Sequence, residues 1–246
     1  MYPHFRQRNR VHPMNCIGFT LIELAIVLFI ITLLLGGVLT PLGQQIIERQ
    51  AVETRRTLES ARIALVGYAL RVSSHPARLP CPDLHGDKME HADDGLEDRL
   101  ENGNCATLSG NLPWKTLGLA EGDAWGNRLS YAVAAGWTQS INPPDDAASL
   151  LQICQDTHCP IPMPAGAVVL SHGHNGFGAV NVNSGDNLAP SSPDEIENSN
   201  RDNRFITRPP RSADSPAGEF DDMLLTLSPD WLRGRLCDPA SLCRGN

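Results

Sequence analysis

The sequence predicts an α+β fold: one long, protruding N-terminal helix whose distal half packs on an antiparallel sheet of three or more strands. Three observations predict it. An apolar run from Phe19 to Leu39 passes directly into an amphipathic stretch with helical spacing. Short apolar runs of strand type occur only later, at 129–133, 167–171 and 223–227. Between them lie loops rich in the chain's 21 glycines and 19 prolines, with six of its seven cysteines beyond residue 80.

The N-terminal run sets the topology. Residues 1–18 carry Arg6, Arg8 and Arg10 and no acid, and such a basic flank stays on the cytoplasmic side while the rest is exported. Phe19 to Leu39 is twenty-one residues with a single charge, Glu23. As a helix it is about 31 Å long, one hydrocarbon thickness. A lone carboxylate there costs about 2.5–3.5 kcal/mol, so Glu23 calls for a partner. An ordinary signal peptide places its small cleavage residues after the apolar core, whereas Gly18 precedes it. Cutting at Gly18 leaves the hydrophobic helix on the mature chain.

Gly18-Phe19-Thr20-Leu21-Ile22-Glu23-Leu24 resembles the class III leader of type IV pilins and of the pseudopilins of type II secretion. The resemblance implies that a prepilin peptidase cuts between Gly18 and Phe19 and methylates the new Phe19 amine. It also implies a single-pass inner-membrane subunit with a periplasmic domain, taken from lipid by an assembly platform into a filament. There Glu23 meets the Phe19 amine of a neighbouring subunit and sets register, a known use of buried polar pairs. Glu23 argues against the tip-type pseudopilin class that usually lacks this acid, and size and loop insertions suggest a minor pilin or minor pseudopilin. The implied organisation is leader 1–18, membrane and filament-core helix 19–40, amphipathic distal helix 41–72 and periplasmic domain 73–246. Three competing readings are an uncleaved anchor, a membrane-tethered adhesion or recognition module that uses its polar loops, and a membrane-tethered hydrolase.

Along the chain, Gly36, Gly37, Pro41 and Gly43 predict a kink or melted turn, since glycine costs about 1 and proline about 3 kcal/mol in a helix interior. Ala51, Thr54, Leu58, Ala61, Leu65, Tyr68 and Val72 then form one helix face, expected against the sheet, and Ser73, Ser74 and Pro76 end the helix. Residues 77–112 read as an irregular insertion whose acids (Asp87, Glu90, Asp93, Asp94, Glu97, Asp98, Glu101) form a solvated loop, their spacing not matching a calcium-loop pattern. Asp123-Ala124-Trp125-Gly126-Asn127 looks like the Asp-Pro-Trp-Gly-Asn segment of the major pseudopilins and suits a tight turn into a strand at 129–133. Trp114 and Trp125 are expected as core anchors.

Residues 137–165 read as a Pro-rich connection, followed by the strand 167–171. His172-Gly173-His174 is read as a turn with incidental histidines in preference to a metal pair. Asn175-Gly176, Asp186 and Phe220-Asp221-Asp222 resemble, at wide spacing, the calcium loop of the major pseudopilins, which implies Asp221 and Asp222 as calcium ligands; otherwise no cofactor is expected. Residues 184–219 are polar and expected to be mobile or poorly ordered. Met223 to Leu227 is the closing strand and Pro229 to Leu236 a short helix.

Net charge is −8, and loss of the three leader arginines takes it to −11, which argues against nucleic acid as a partner. Cys16 falls in the leader. Cys81, Cys105, Cys154, Cys159, Cys237 and Cys243 remain, an even set on the exported side that reads as disulfides, paired in sequence order among fifteen connectivities; zinc is the competing reading. The sequence contains no Gly-x-Ser-x-Gly elbow, phosphate loop or His-Glu-x-x-His helix, so the expected role is structural, not enzymatic.

Overall fold

In the computed structural model the described residues are 20–71, 78–86, 92–140 and 149–236, with the side chains of 36–42 also outside the description. The predicted cleavage point Gly18/Phe19, the helix-ending Ser73, Ser74 and Pro76, the acids Asp87 and Glu90, and Cys237–Cys243 lie outside the described residues.

The chain divides into two units, Met1–Ile46 and Ile47–Asn246. In the first, helix α1 (Leu21–Arg71) begins with its apolar side chains from Leu21 to Leu35 exposed to solvent. Among the described residues no helix is long and apolar enough to cross a membrane. The side chains described in that run cover only about 22 Å. The helical backbone is unbroken from Leu21 to Arg71, so the melted turn expected around Pro41 is not formed. Pro41 removes a single N–H from a cooperative ladder that propagates on both sides.

In the second unit the distal part of α1 buries the predicted stripe. Thr54, Leu58, Ala61, Leu65 and Tyr68 are buried, while Glu53, Arg55, Arg56 and Glu59 face solvent. Leu58, Ala61 and Leu65 join one core with Tyr131, Val133, Val169 and Leu227 of the sheet. Each leucine so buried contributes about 1.5–3 kcal/mol.

The remaining elements are β1 (Ser109–Asn111), α2 (Trp114–Leu117), β2 (Ser130–Val133), a 3-10 turn (Ala135–Thr138), β3 (Leu151–Cys154), β4 (Met163–Ala165), β5 (Ala167–Ser171), α3 (Pro193–Ser199), β6 (Arg204–Ile206), β7 (Met223–Leu227) and α4 (Pro229–Leu236). β1-β2-β5-β7 form a four-stranded, wholly antiparallel sheet. This is the expected α+β arrangement of an N-terminal helix on an antiparallel sheet. All five residues of β5 are buried, as its uninterrupted Ala-Val-Val-Leu-Ser run requires of a central strand.

Three expectations are corrected. Residues 151–165 and 204–206 build a second sheet, β4-β3-β6, with β3 and β6 parallel. The 184–219 segment, expected to be poorly ordered, holds α3 and β6. The fully enclosed tryptophan is Trp137, on the 3-10 turn, whereas Trp114 and Trp125 are half-buried. Disulfides join Cys81 to Cys105 and Cys154 to Cys159.

Candidate functional site

Two places concentrate chemistry. The first is the start of α1. Thr20 caps the helix, and Glu23 reaches back to it: its Oε2 accepts from Thr20 N at 2.9 Å and from Thr20 Oγ1 at 3.0 Å, while Glu23 N donates to Thr20 Oγ1 at 3.3 Å. This is a reciprocal capping box, which satisfies helix-end donors that have no intrahelical partner. The signal was present in the sequence as Thr20-x-x-Glu23 ahead of an apolar run.

The second is the corner where β5 ends and β7 begins. The turn at Asp123 positions it: Asp123 Oδ1 accepts from Trp125 N at 2.9 Å and Asn127 N at 3.0 Å, and Oδ2 accepts from Ser171 Oγ at 2.6 Å. Burial pushes the Asp123 carboxyl up, opposed by these bonds. Helix α1 holds the same turn, with Gln50 Nε2 donating to Ala124 O at 3.0 Å and Ala124 N donating to Thr54 Oγ1 at 3.2 Å. Beside this turn is an open cleft of about 720 Å³ lined by Trp125, His174, Asn175 and Phe177 among others, so Trp125 lines a cleft and does not fill the core.

Past β5 the chain turns through His172-Gly173-His174. Gly173 has φ 61°, and a Cβ there would fall 2.5 Å from Asp221 Oδ1, so the turn is shaped around Asp221. Glu195, Asp221 and Asp222 each offer an oxygen within 4.8 Å of the others. Asp221 Oδ1 and Asp222 Oδ1 are buried without a hydrogen-bond partner. Among the described residues no lysine or arginine pairs with any of the three. Burial pushes all three carboxyls up, Asp222 furthest.

His172 does not act as the counter-ion. Its ring is fully enclosed, and burial, with Arg201 nearby, pushes the imidazole down to about 4, leaving it neutral. Its Nε2 lies 3.0 Å from Ser130 Oγ and its Nδ1 3.6 Å from Asp222 Oδ1. The cavity beside this Ser130–His172–Asp222 line is about 20 Å³, room for about one water. The donor set at the corner is of the kind a hard divalent cation takes: three carboxylates, each offering an oxygen within 4.8 Å of the others. Asp221 and Asp222, adjacent in the chain, lie at this corner together with Glu195. Asp186 lies elsewhere, bonded to His85 Nε2 at 2.7 Å.

Residues 13–39 match the model of the prokaryotic N-terminal methylation motif. The chain carries a class III prepilin leader, that of the type IV pilin and pseudopilin family. Comparison with curated proteins returned no match, and neither did comparison with solved structures. The matched motif and the capping box overlap at Thr20 to Glu23, so the first turn of α1 lies within the motif. The motif family is structural and not enzymatic, and the leader marks the chain as a pilin-type precursor.

Proposed function

We propose that this chain is a minor pilin or minor pseudopilin, cut by prepilin peptidase between Gly18 and Phe19 and N-methylated on Phe19. The 19–40 helix holds it in the inner membrane, with the domain in the periplasm, until an assembly platform transfers it into a filament of pilin-type subunits. The observation that carries this reading is the methylation motif over 13–39, with Gly18 ahead of the apolar run and Glu23 within it. Extraction from lipid is feasible because the exposed apolar side chains from Leu21 to Leu35 exchange lipid for neighbouring helices. Glu23 then exchanges its local bonds to Thr20 for the Phe19 amine of the next subunit.

Within the same reading, Asp221 and Asp222 hold a calcium ion that sets the corner before the closing strand. The two orphaned carboxylate oxygens support this, since unpaired buried acceptors are costly and a cation satisfies them.

Intact mass and N-terminal sequencing of membrane-extracted protein test the processing. The expected product begins at methylated Phe19, and Gly18→Ala leaves the leader attached. Glu23→Ala is expected to be processed and to accumulate in the membrane without entering filaments. A mature chain that still begins at Met1, in cells possessing the peptidase, overturns the proposal.

A further inference from the structure

Helix α3 lies within the 184–219 insertion, and at seven residues it is too short to persist by itself. Side chains pin it. Asn198 Nδ2 donates to Asp222 Oδ2 at 2.7 Å and to Ile206 O at 3.1 Å, and its Oδ1 accepts from Ile206 N at 2.6 Å. Glu195 Oε1 accepts from Asn175 Nδ2 at 3.2 Å and from Asp221 N at 3.3 Å. Asp194 meets Arg208 and Arg211, each at 2.7 Å. Asp194 therefore has cations, and Glu195, only 1% exposed, has none among the described residues. It is enclosed with two further acids whose Oδ1 atoms are also unmatched. A second observation points into the same place: His172 is 1% exposed, and its Nδ1, without a partner, faces Asp222 Oδ1.

We infer that Glu195 is a third carboxylate ligand of a hard divalent cation at Asp221 and Asp222, and that this cation fastens the 184–219 insertion to the start of the closing strand. The inference rests on the reading of Asp221 and Asp222 as cation ligands. It adds a ligand from an element twenty-six residues away from Asp221. It also makes the insertion's order depend on the ion. All three side chains offer oxygen, and their geometry excludes no further carbonyl or water ligand, which favours calcium over softer metals.

The test uses the full chain in detergent, with calcium chloride as the only added ligand. Calorimetric titration and hydrogen exchange in calcium against EDTA are measured for wild type, Glu195→Gln and Asp221→Asn. In wild type, calcium is expected to slow exchange over Asp194–Ile206 by about tenfold or more. Glu195→Gln is expected to weaken calcium binding by about tenfold or more. Its circular dichroism in EDTA should match wild type, because the amide oxygen still accepts from Asn175 and Asp221. If Glu195→Gln binds calcium like wild type while Asp221→Asn does not, the role of Glu195 is overturned and the two-aspartate site stands. If wild type shows neither heat nor slowed exchange, the cation reading and the inference fall together, while the prepilin reading keeps its own test.

Discussion

Residues 92–105 and 193–222 both enclose carboxylates, yet among the described residues arginines fold onto Asp93 and Glu97 of the first, while no lysine or arginine meets Glu195, Asp221 or Asp222 of the second. In the first, Glu97 accepts from Tyr68 Oη at 2.5 Å, Cys81 N at 3.0 Å and Arg78 at 3.1 Å, with Arg99 alongside. Burial pushes the Glu97 carboxyl up, and these donors more than offset it and hold it low. Asp93 is met by Arg128 at 3.0 Å, by Asn111 at 2.8 Å and by His85 at 2.8 Å. At the Glu195–Asp221–Asp222 corner the same desolvation is offset by neutral donors and, at Asp221, by the nearby His174, with no arginine among the described residues. The sequence expectation of a solvated acidic loop at 87–101 is therefore corrected for Asp93 and Glu97. An acid run is a solvated face only if no cation elsewhere in the chain folds onto it. Here Arg78 and Arg128 do, from nineteen and thirty-five residues away.

Removing a cation from the first region tests the contrast most severely. Arg128 is 4% exposed at its side chain and joins Asp93, Glu121 and Ser184. Arg128→Ala leaves Asp93 enclosed without its strongest partner, and the expected loss is about 3–5 kcal/mol, or about 10 °C in Tm. Urea denaturation reads it directly. A loss under about 1 kcal/mol would class these contacts with surface ion pairs and remove the contrast.

A smaller effect, with a defined pH window, is expected at Asp83, next to Cys81. It is wholly enclosed, its Oδ2 accepts from Gly95 N at 3.0 Å, and its Oδ1 has no partner. Burial, with Asp98, Asp93 and Asp94 adding to it, pushes the carboxyl up to about 7. The native state therefore binds this proton more tightly than the unfolded chain does. Its stabilisation is complete below about pH 4 and is lost as pH rises through about 7. Asp83→Asn is expected to remove that slope and to be more stable than wild type at pH 8 by about 2 kcal/mol, with little difference at pH 4. Equal slopes in the two proteins would show that Asp83 ionises without cost.

How much of this could be read in advance follows from the range of each interaction. The α1 stripe, β5, β7 and α4 were legible because their signals are local: helical spacing from Ala51 to Tyr68 and unbroken apolar runs at 167–171 and 223–227. The methylation leader was legible for the same reason, and so was the Thr20–Glu23 capping box, though the sequence reading passed over it. The second sheet was not, because β3 and β6 have four and three residues and pair in parallel across about fifty positions. Trp137 was missed since nothing local separates it from Trp114 and Trp125. Asp221 and Asp222 came from a resemblance, and Glu195 carries no signal in its own neighbourhood. Asp194, beside it, has the same chemistry and the opposite fate, turned toward Arg208 and Arg211.

That divergence leads to the smallest of the expected effects and the one whose sign is most informative. In the first region, taking away charge should destabilise. At Asp222, with EDTA present, it should not. The side-chain oxygen of Asp222→Asn can still accept from Asn198 Nδ2, and its amide N–H can turn to His172 Nδ1, which now has no partner. Neutralising the acid also relieves repulsion among Glu195, Asp221 and Asp222. Asp222→Asn in EDTA is therefore expected to be unchanged or stabilised by about 1 kcal/mol. Adding calcium should raise the Tm of wild type and leave that of the variant where it was. A clear destabilisation in EDTA would mean that Asp222 is held by a protein group as securely as Glu97 is. The two regions would then differ in composition alone.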